Sequence, residues 1–279
     1  MGMLWTALSM GALALSEVFA LVVLARLLSP DDFGLYAAAL VIIKFTVIIE
    51  GLGIGPAIVQ RPSLEERHLR VGFTLSLLLS ILTAGLIWII APAVAAFLRL
   101  AELAPVVRGA CVVFVCYGFS MVAQAMAQRA LRFRWLAGID AFAFATGFVL
   151  IGPVLAWYGF GVWALVGALI TQHLTRAVAL LVGQPHPKCP LLDRQAIADL
   201  LFFGGGFTLA RVCNFLAGQV DKLIVGRFLG AQALGIYALA SQLMTAPAVI
   251  IGEILDRVLF PTMALVQQEQ ARLARAYRS

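Results

Sequence analysis

Eight stretches of this chain are too long and too apolar to sit inside a water-soluble core. They cover residues 4–28, 34–59, 71–98, 106–128, 136–157, 160–182, 201–229 and 234–260. A helix crosses a bilayer with about 20 mostly apolar residues. No water reaches the hydrocarbon to satisfy backbone N–H and C=O groups, so runs of this length must be helical. Transmembrane strands would be about half as long. Of the 279 residues, 62% are hydrophobic and 12% charged, against about half and a quarter in soluble domains. The expected fold is an all-α integral membrane protein of about eight transmembrane helices.

The connections are short. "SPDD", 29–32, carries helix-start chemistry, with Ser29 as N-cap, Pro30 at the first helical position and two aspartates on the positive end of the dipole. "YGFG", 158–161, reads as a tight turn. The longest break is "GQPHPKCPLLDRQ", 183–195, with three prolines, and marks a lobe boundary. This divides the chain into a six-helix lobe at 1–182, a linker at 183–200, two helices of a second lobe at 201–260, and a tail at 261–279. In the tail, Met263, Val266, Leu273 and Tyr277 recur at helical spacing, which predicts an amphipathic surface helix.

The formal net charge is +6. The basic residues lie between the apolar runs, so topology accounts for them and nucleic acid is not an expected partner. Arg61, Arg67, Arg70, Arg129, Arg132, Arg134, Lys188 and Arg194 fall in the even loops, and Arg272, Arg275 and Arg278 in the tail. The odd loops hold only Arg26, Arg99, Arg108 and Arg227. The positive-inside rule then places the N-terminus and the tail in the cytoplasm. The first apolar run is too long for a cleavable signal peptide and lacks its charged lead.

Chemistry-bearing motifs are sparse. Cys111, Cys116, Cys189 and Cys213 show neither zinc spacing nor a disulfide framework and read as small core residues. His68 and His186 lie in loops and read as solvated. "GGG", 204–206, has no preceding strand and no following Lys-Ser/Thr, so it is not a phosphate loop; it fits bending or close packing, as Pro247 fits a kink. No HExxH, CxxC or long extramembrane loop is present. The sequence therefore argues against an enzyme and implies no cofactor or metal.

Ionisable groups inside spans are the functional candidates. On the seventh helix Arg211, Asn214, Gly218, Asp221 and Lys222 share a sector of about 100°, a polar stripe on an apolar helix. It faces a cavity, unless Asp221 and Lys222 only reach headgroups by snorkelling. The second helix carries Lys44 and Glu50 near mid-membrane, too far round from each other to pair. Glu17 on the first helix has the charge to pair with Lys44. Arg176 ends the sixth helix, either in the cavity or snorkelling. Lys44, Arg176, Arg211 and Asn214 are thus substrate-binding candidates; Glu17, Glu50, Asp221 and Lys222 are candidates for ion coupling or ion pairing. Ser9, Ser16, Tyr117, Ser120, Gln124 and Gln128 read as helix–helix hydrogen-bonding groups.

"LARLLSPDDFGLYAAAL", 24–40, returns without a gap as "VGRFLGAQALGIYALAS", 225–241. The copies share Arg26/Arg227, Leu28/Leu229, Gly34/Gly235, Tyr36/Tyr237, Ala37/Ala238 and Ala39/Ala240. In the second copy Gly230 takes the capping place of Ser29. Six helices separate the copies, so both have the same orientation: a parallel repeat about an axis along the membrane normal, as in transporters built from duplicated bundles.

These segments, with "IEGLGIGPAIVQR", "APAVAAFL", "QRALRFRWLA", "GFGVWALV" and "RVLFPTMALVQ", resemble the O-antigen-type lipopolysaccharide/exopolysaccharide flippases. These share a superfamily with the multidrug/toxin extruders and the lipid II flippase. The resemblance implies a bacterial cytoplasmic-membrane protein that moves undecaprenyl-diphosphate-linked oligosaccharide to the outer leaflet by alternating access. Lys44, Arg211 and Arg176 would meet the diphosphate. Asp221 stands where the family has an aspartate, and Glu50 where it tends to have one, so a coupling role is implied for both. Members complete both lobes, whereas this chain carries one lobe and two helices of the next. The expectation is a truncated member, completed by a second chain or by subunit association, or else an inactive copy. A drug/cation antiporter of the same superfamily is the alternative.

Overall fold

The computed structural model describes residues 16–50, 53–61, 64–187 and 190–266, with side chains except at 49–50, 198–211 and 245–266. The elements are α1 (16–27), α2 (Pro30–Glu50), α3 (Ile54–Gln60), α4 (Glu66–Leu98), α5 (Leu103–Ala110), α6 (Val112–Arg129), α7 (Phe133–Phe144), a π turn (Ala145–Ile151), α8 (Gly152–Trp157) and α9 (Val162–Gly183). A last helical stretch, Arg194–Val266, breaks at Gly230 (φ 84°, ψ −176°) into α10 (194–229) and α11 (231–266). Among the described residues there is no strand. Five helices there are long and apolar enough to cross a membrane, the last of them, Val212–Met244, running through the Gly230 break. The protein is an all-α membrane protein. The expected amphipathic tail, 261–279, lies largely outside the described residues.

The chain divides into two compact units, Phe19–Ala238 and the paired segments Met1–Val18 and Leu239–Ser279. In the second, Leu243 and Met244 are exposed. All packing below belongs to the first.

Local chemistry sets the helix ends. Ser29 and Asp32 cap α2 reciprocally: Asp32 N–H donates to Ser29 Oγ at 3.2 Å, and Ser29 Oγ–H and N–H donate to Asp32 Oδ2 at 2.7 and 3.0 Å. The second apolar run is not one helix. Gly53 at φ 74° separates α2 from α3, a left-handed conformation that glycine adopts without strain. α4 starts at Glu66, before its apolar run, because His68 Nδ1 accepts the Glu65 N–H at 3.2 Å. His68 is therefore fully buried in a helix, and His186 is half-buried with its ring 5.6 Å from that of Phe73; neither is solvated. The fifth span contains the π turn just ahead of Pro153, where the missing N–H favours a wider turn.

Proline leaves another mark in α4. Pro92 cannot donate to the carbonyl of Trp88. Arg108 of α5 fills the vacancy, its Nε donating to Trp88 O at 3.1 Å while its guanidinium lies 5.5 Å from the Trp88 ring centre.

Two apolar layers hold the helices together. One joins α2, the end of α4, α5, and the starts of α6 and α9 around Leu35, Leu98, Leu103, Val107, Phe114 and Val166; Leu234 of α11 inserts into it. The other joins α3, the start of α4, α6 and Ala196 of α10 around Ile54, Ile58, Val71 and Val122. Cys111 and Cys116 are core residues as expected, but Cys213 is exposed, and Cys189 lies outside the described residues.

Arginines close the ends of two helices, α3 and α9. Arg129 Nη1 donates to the carbonyls of Ile58, Val59 and Arg61 at the end of α3, at 3.0, 3.2 and 2.5 Å. Arg132 Nη1 donates to Gly183 O at 3.2 Å and Gln184 Oε1 at 2.7 Å at the end of α9. Cations belong at helix C-termini. In the linker, Leu191 N–H donates to Thr74 Oγ1 at 3.0 Å, and Asp193 Oδ1 accepts the Ala196 N–H at 2.9 Å, capping α10.

Candidate functional site

The repeat provides the frame of the site. Its two copies meet each other: a Cβ on Gly34 would strike the backbone of Ala231, and one on Gly235 would strike that of Pro30 and Gly34. Ala231 occupies in the second copy the place of Pro30 in the first. Each copy thus presents one surface to the same surface of the other, as in an isologous two-fold contact. It brings α2 and the α10–α11 corner together without side chains between them.

Further along, α2 and α10 stay adjacent, with the rings of Phe45 and Phe215 5.9 Å apart. The same two helices carry Lys44, exposed on α2, and Lys222, half-buried on α10. Lys222 Nζ donates to Gln219 Oε1 at 2.9 Å, one turn back on α10. Asn214 and Gly218 are exposed on the same helix. Charges are expensive at membrane depth.

Among the described residues Asp221 forms no close ion pair with either lysine. Its Oδ2 accepts the Tyr237 hydroxyl at 2.6 Å, across the Gly230 break. Asp221 and Lys222 therefore have separate partners and are not a mutual pair. In the first copy of the repeat the place of Asp221 is taken by Ala20, which is buried.

Arg176 stands elsewhere, on α9. Its Nε donates to Asp140 Oδ1 of α7 at 2.6 Å and its Nη1 to Gln124 Oε1 of α6 at 3.2 Å. Its side chain is 17% exposed and that of Asp140 46%. Arg176 thus neither snorkels nor stands as a free cation; it ties α6, α7 and α9 together. Gln124 does helix–helix work, as expected. The side chains of Arg211 and Glu50 lie outside the described residues. Glu17 is exposed on α1, in the other unit.

Sequence reasoning missed Asp140, Gln219 and Tyr237. A signal existed for each. Asp140 and Arg176 stand eighteen residues before and fifteen after the 158–161 turn, near the same level of an antiparallel pair. Gln219 is three residues from Lys222. Tyr237 and Asp221 flank the Gly230 break at seven and nine residues. Among the described residues no group of three or more His, Cys, Asp or Glu could hold a metal ion.

Comparison with known proteins gives the chain's relatives. The chain is 28% identical over 276 residues to the teichuronic acid biosynthesis protein TuaB of Bacillus subtilis (strain 168), covering 97% of this chain and 56% of that protein. It is 27% identical over 254 residues to the succinoglycan biosynthesis transport protein ExoT of Rhizobium meliloti (strain 1021), covering 91% and 51%. It is 25% identical over 273 residues to the lipopolysaccharide biosynthesis protein WzxC of Escherichia coli (strain K12), covering 98% and 56%. The chain thus spans about half the length of these relatives. No solved structure matches it. The family described as polysaccharide biosynthesis protein matches residues 23–279, and the chain belongs to that family.

Proposed function

We propose that the chain works as a polysaccharide transporter of the bacterial cytoplasmic membrane, moving undecaprenyl-diphosphate-linked oligosaccharide units to the outer leaflet by alternating access. The observation that carries this reading is that α2 and α10 run side by side, Phe45 against Phe215, and each brings a lysine, Lys44 and Lys222, while Asp221 accepts the Tyr237 hydroxyl. A diphosphate supplies the missing negative charge, and its oxygens accept charge-assisted bonds from both ammonium groups. By helical spacing in the sequence, Arg211 and Asn214 belong to the same stripe as Lys222. Family membership and the names of the relatives support the polysaccharide as cargo.

The self-complementary contact at Gly34 and Gly235 supports two lobes related by an axis along the membrane normal. Arg129 and Arg132, which close the ends of α3 and α9, support a cytoplasmic location for those ends, and with it a cytoplasmic N-terminus and tail. Leu229 and Ile236 are 68% and 57% exposed, whereas their repeat counterparts Leu28 and Leu35 are buried. In this reading the face they form is where the remaining length of the relatives packs. Asp221 and Glu50 are then candidates for ion coupling, and Arg176 acts by holding its lobe together.

The test is translocation of a fluorescent diphosphate-linked oligosaccharide in vesicles carrying this chain, alone or with the remaining length of a relative. Movement that falls in the Lys44→Ala and Lys222→Ala variants supports the reading. Movement of cationic drugs with no movement of the glycolipid supports an antiporter instead.

A further inference from the structure

A second feature lies away from the α2–α10 face. The end of α4 and the start of α5 enclose an open groove of about 430 Å³, lined by Pro92, Ala95, Ala96, Arg99, Ala101 and Ala104. Its size is within the range of small-molecule sites. Apart from Arg99 every lining side chain is a proline or an alanine. Pro92, Ala96 and Ala101 are exposed, so the groove opens outward from the lobe. Water has no polar partners along its length and does not fill such a space stably. Hydrocarbon does.

Arg99 stands at the end of the groove. It closes α4 in the left-handed conformation (φ 58°, ψ 33°), its N–H directed to the carbonyls of Ala95 and Ala96. That conformation is unusual for a residue with a side chain. The side chain is exposed, and among the described residues the guanidinium has no hydrogen-bond or ion-pair partner. The other arginine of this corner, Arg108, is already used by the Trp88 carbonyl and ring. The site therefore combines an apolar slot of acyl-chain character with one unpaired cation at the membrane end of a spanning helix.

We infer that this groove is a binding site for an anionic glycerophospholipid, with an acyl segment against Ala95, Ala96 and Ala104 and the headgroup phosphate on Arg99. The charge decides the class: a guanidinium fork binds phosphate oxygens in two places, and a zwitterionic lipid gains less because its own cation competes. The site is independent of the Lys44–Lys222 face and does not rest on its transport role.

The experiment is lipid retention by the purified 279-residue protein, read by native mass spectrometry after exchange into mixtures of phosphatidylglycerol and phosphatidylcholine. The wild type retains phosphatidylglycerol with about a fivefold preference, the size expected of one basic residue at an anionic surface. Arg99→Gln abolishes the preference, and Arg99→Lys keeps part of it. Ala104→Leu fills the slot and lowers retention of both lipids while leaving helical content unchanged. Equal retention of the two lipids by the wild type, or an unchanged preference in Arg99→Gln, overturns the proposal. So does a wild type that takes a prenyl phosphate in place of phosphatidylglycerol when offered both.

Discussion

Gly34 and Gly235, 201 residues apart in sequence, face each other through a contact in which each copy of the repeat uses the same surface. Gly34 lies against Ala231, and Gly235 against Pro30 and Gly34. A methyl group on either glycine meets backbone, which cannot rotate away. Gly34→Ala and Gly235→Ala should therefore each destabilise the protein, by about 1–3 kcal/mol for overpacking, and by similar amounts. Gly138→Ala is the control, since nothing lies within 4 Å of a Cβ there; it should be neutral or stabilising by up to about 1 kcal/mol. Thermal unfolding in detergent checks all three.

The Arg108–Trp88 bond makes a compensation testable. Arg108→Ala leaves the Trp88 carbonyl without a donor in an apolar setting, at a cost of about 1–3 kcal/mol. Pro92→Ala restores the backbone N–H that this carbonyl lacks. The double variant should recover a good part of the loss, so the two substitutions are non-additive in a thermal-stability cycle.

The Arg176–Asp140 pair is asymmetric, because Arg176 is mostly buried and Asp140 is half-exposed. Asp140→Ala strands a buried cation, whereas Arg176→Ala leaves an acid that water or headgroups reach. Asp140→Ala should cost more, about 2–4 kcal/mol against about 1–2. Unfolding midpoints of the single and double variants decide this.

Asp193 gives a pH dependence outside the spans. The Ala196 N–H, then that of Gln195 and the charges of Arg67 and His68, hold its carboxyl below the ordinary carboxylate value despite an opposing desolvation effect. A depressed native value means the contribution is present above the unfolded value of 3.8 and is lost as pH falls through the native one. Below about pH 4 the wild type should lose stability that Asp193→Asn never had. Melting curves across that range should converge.

Much of this was legible in the sequence, for physical reasons. Span length is fixed by the bilayer, so the apolar runs give the helices. Ser29, Pro30 and Asp32 sit at fixed offsets, so the α2 cap follows directly. The breaks at Gly53 and before Pro153 were missed because both lie within uninterrupted apolar sequence, where hydropathy does not register a turn. His68 was misread for the opposite reason: a polar residue next to a loop became the internal cap of a helix. Lys44 and Lys222 were each visible as costly charges, but that they belong to adjacent helices depends on how α2 meets α10, which the Gly34–Gly235 contact helps to set. The partners Asp140 and Tyr237 needed hairpin register, which helix counting alone does not supply.

The central claim is that the α2–α10 face holds a diphosphate. Its most direct measurement is equilibrium binding of an undecaprenyl-diphosphate-linked oligosaccharide to this chain, beside the same glycolipid carrying no phosphate. The account predicts binding that requires the diphosphate and weakens roughly tenfold or more in Lys44→Ala and in Lys222→Ala, the loss of a charge-assisted bond of about 1.5–3 kcal/mol. Equal binding of the phosphate-free glycolipid, or binding unchanged in both variants, contradicts it.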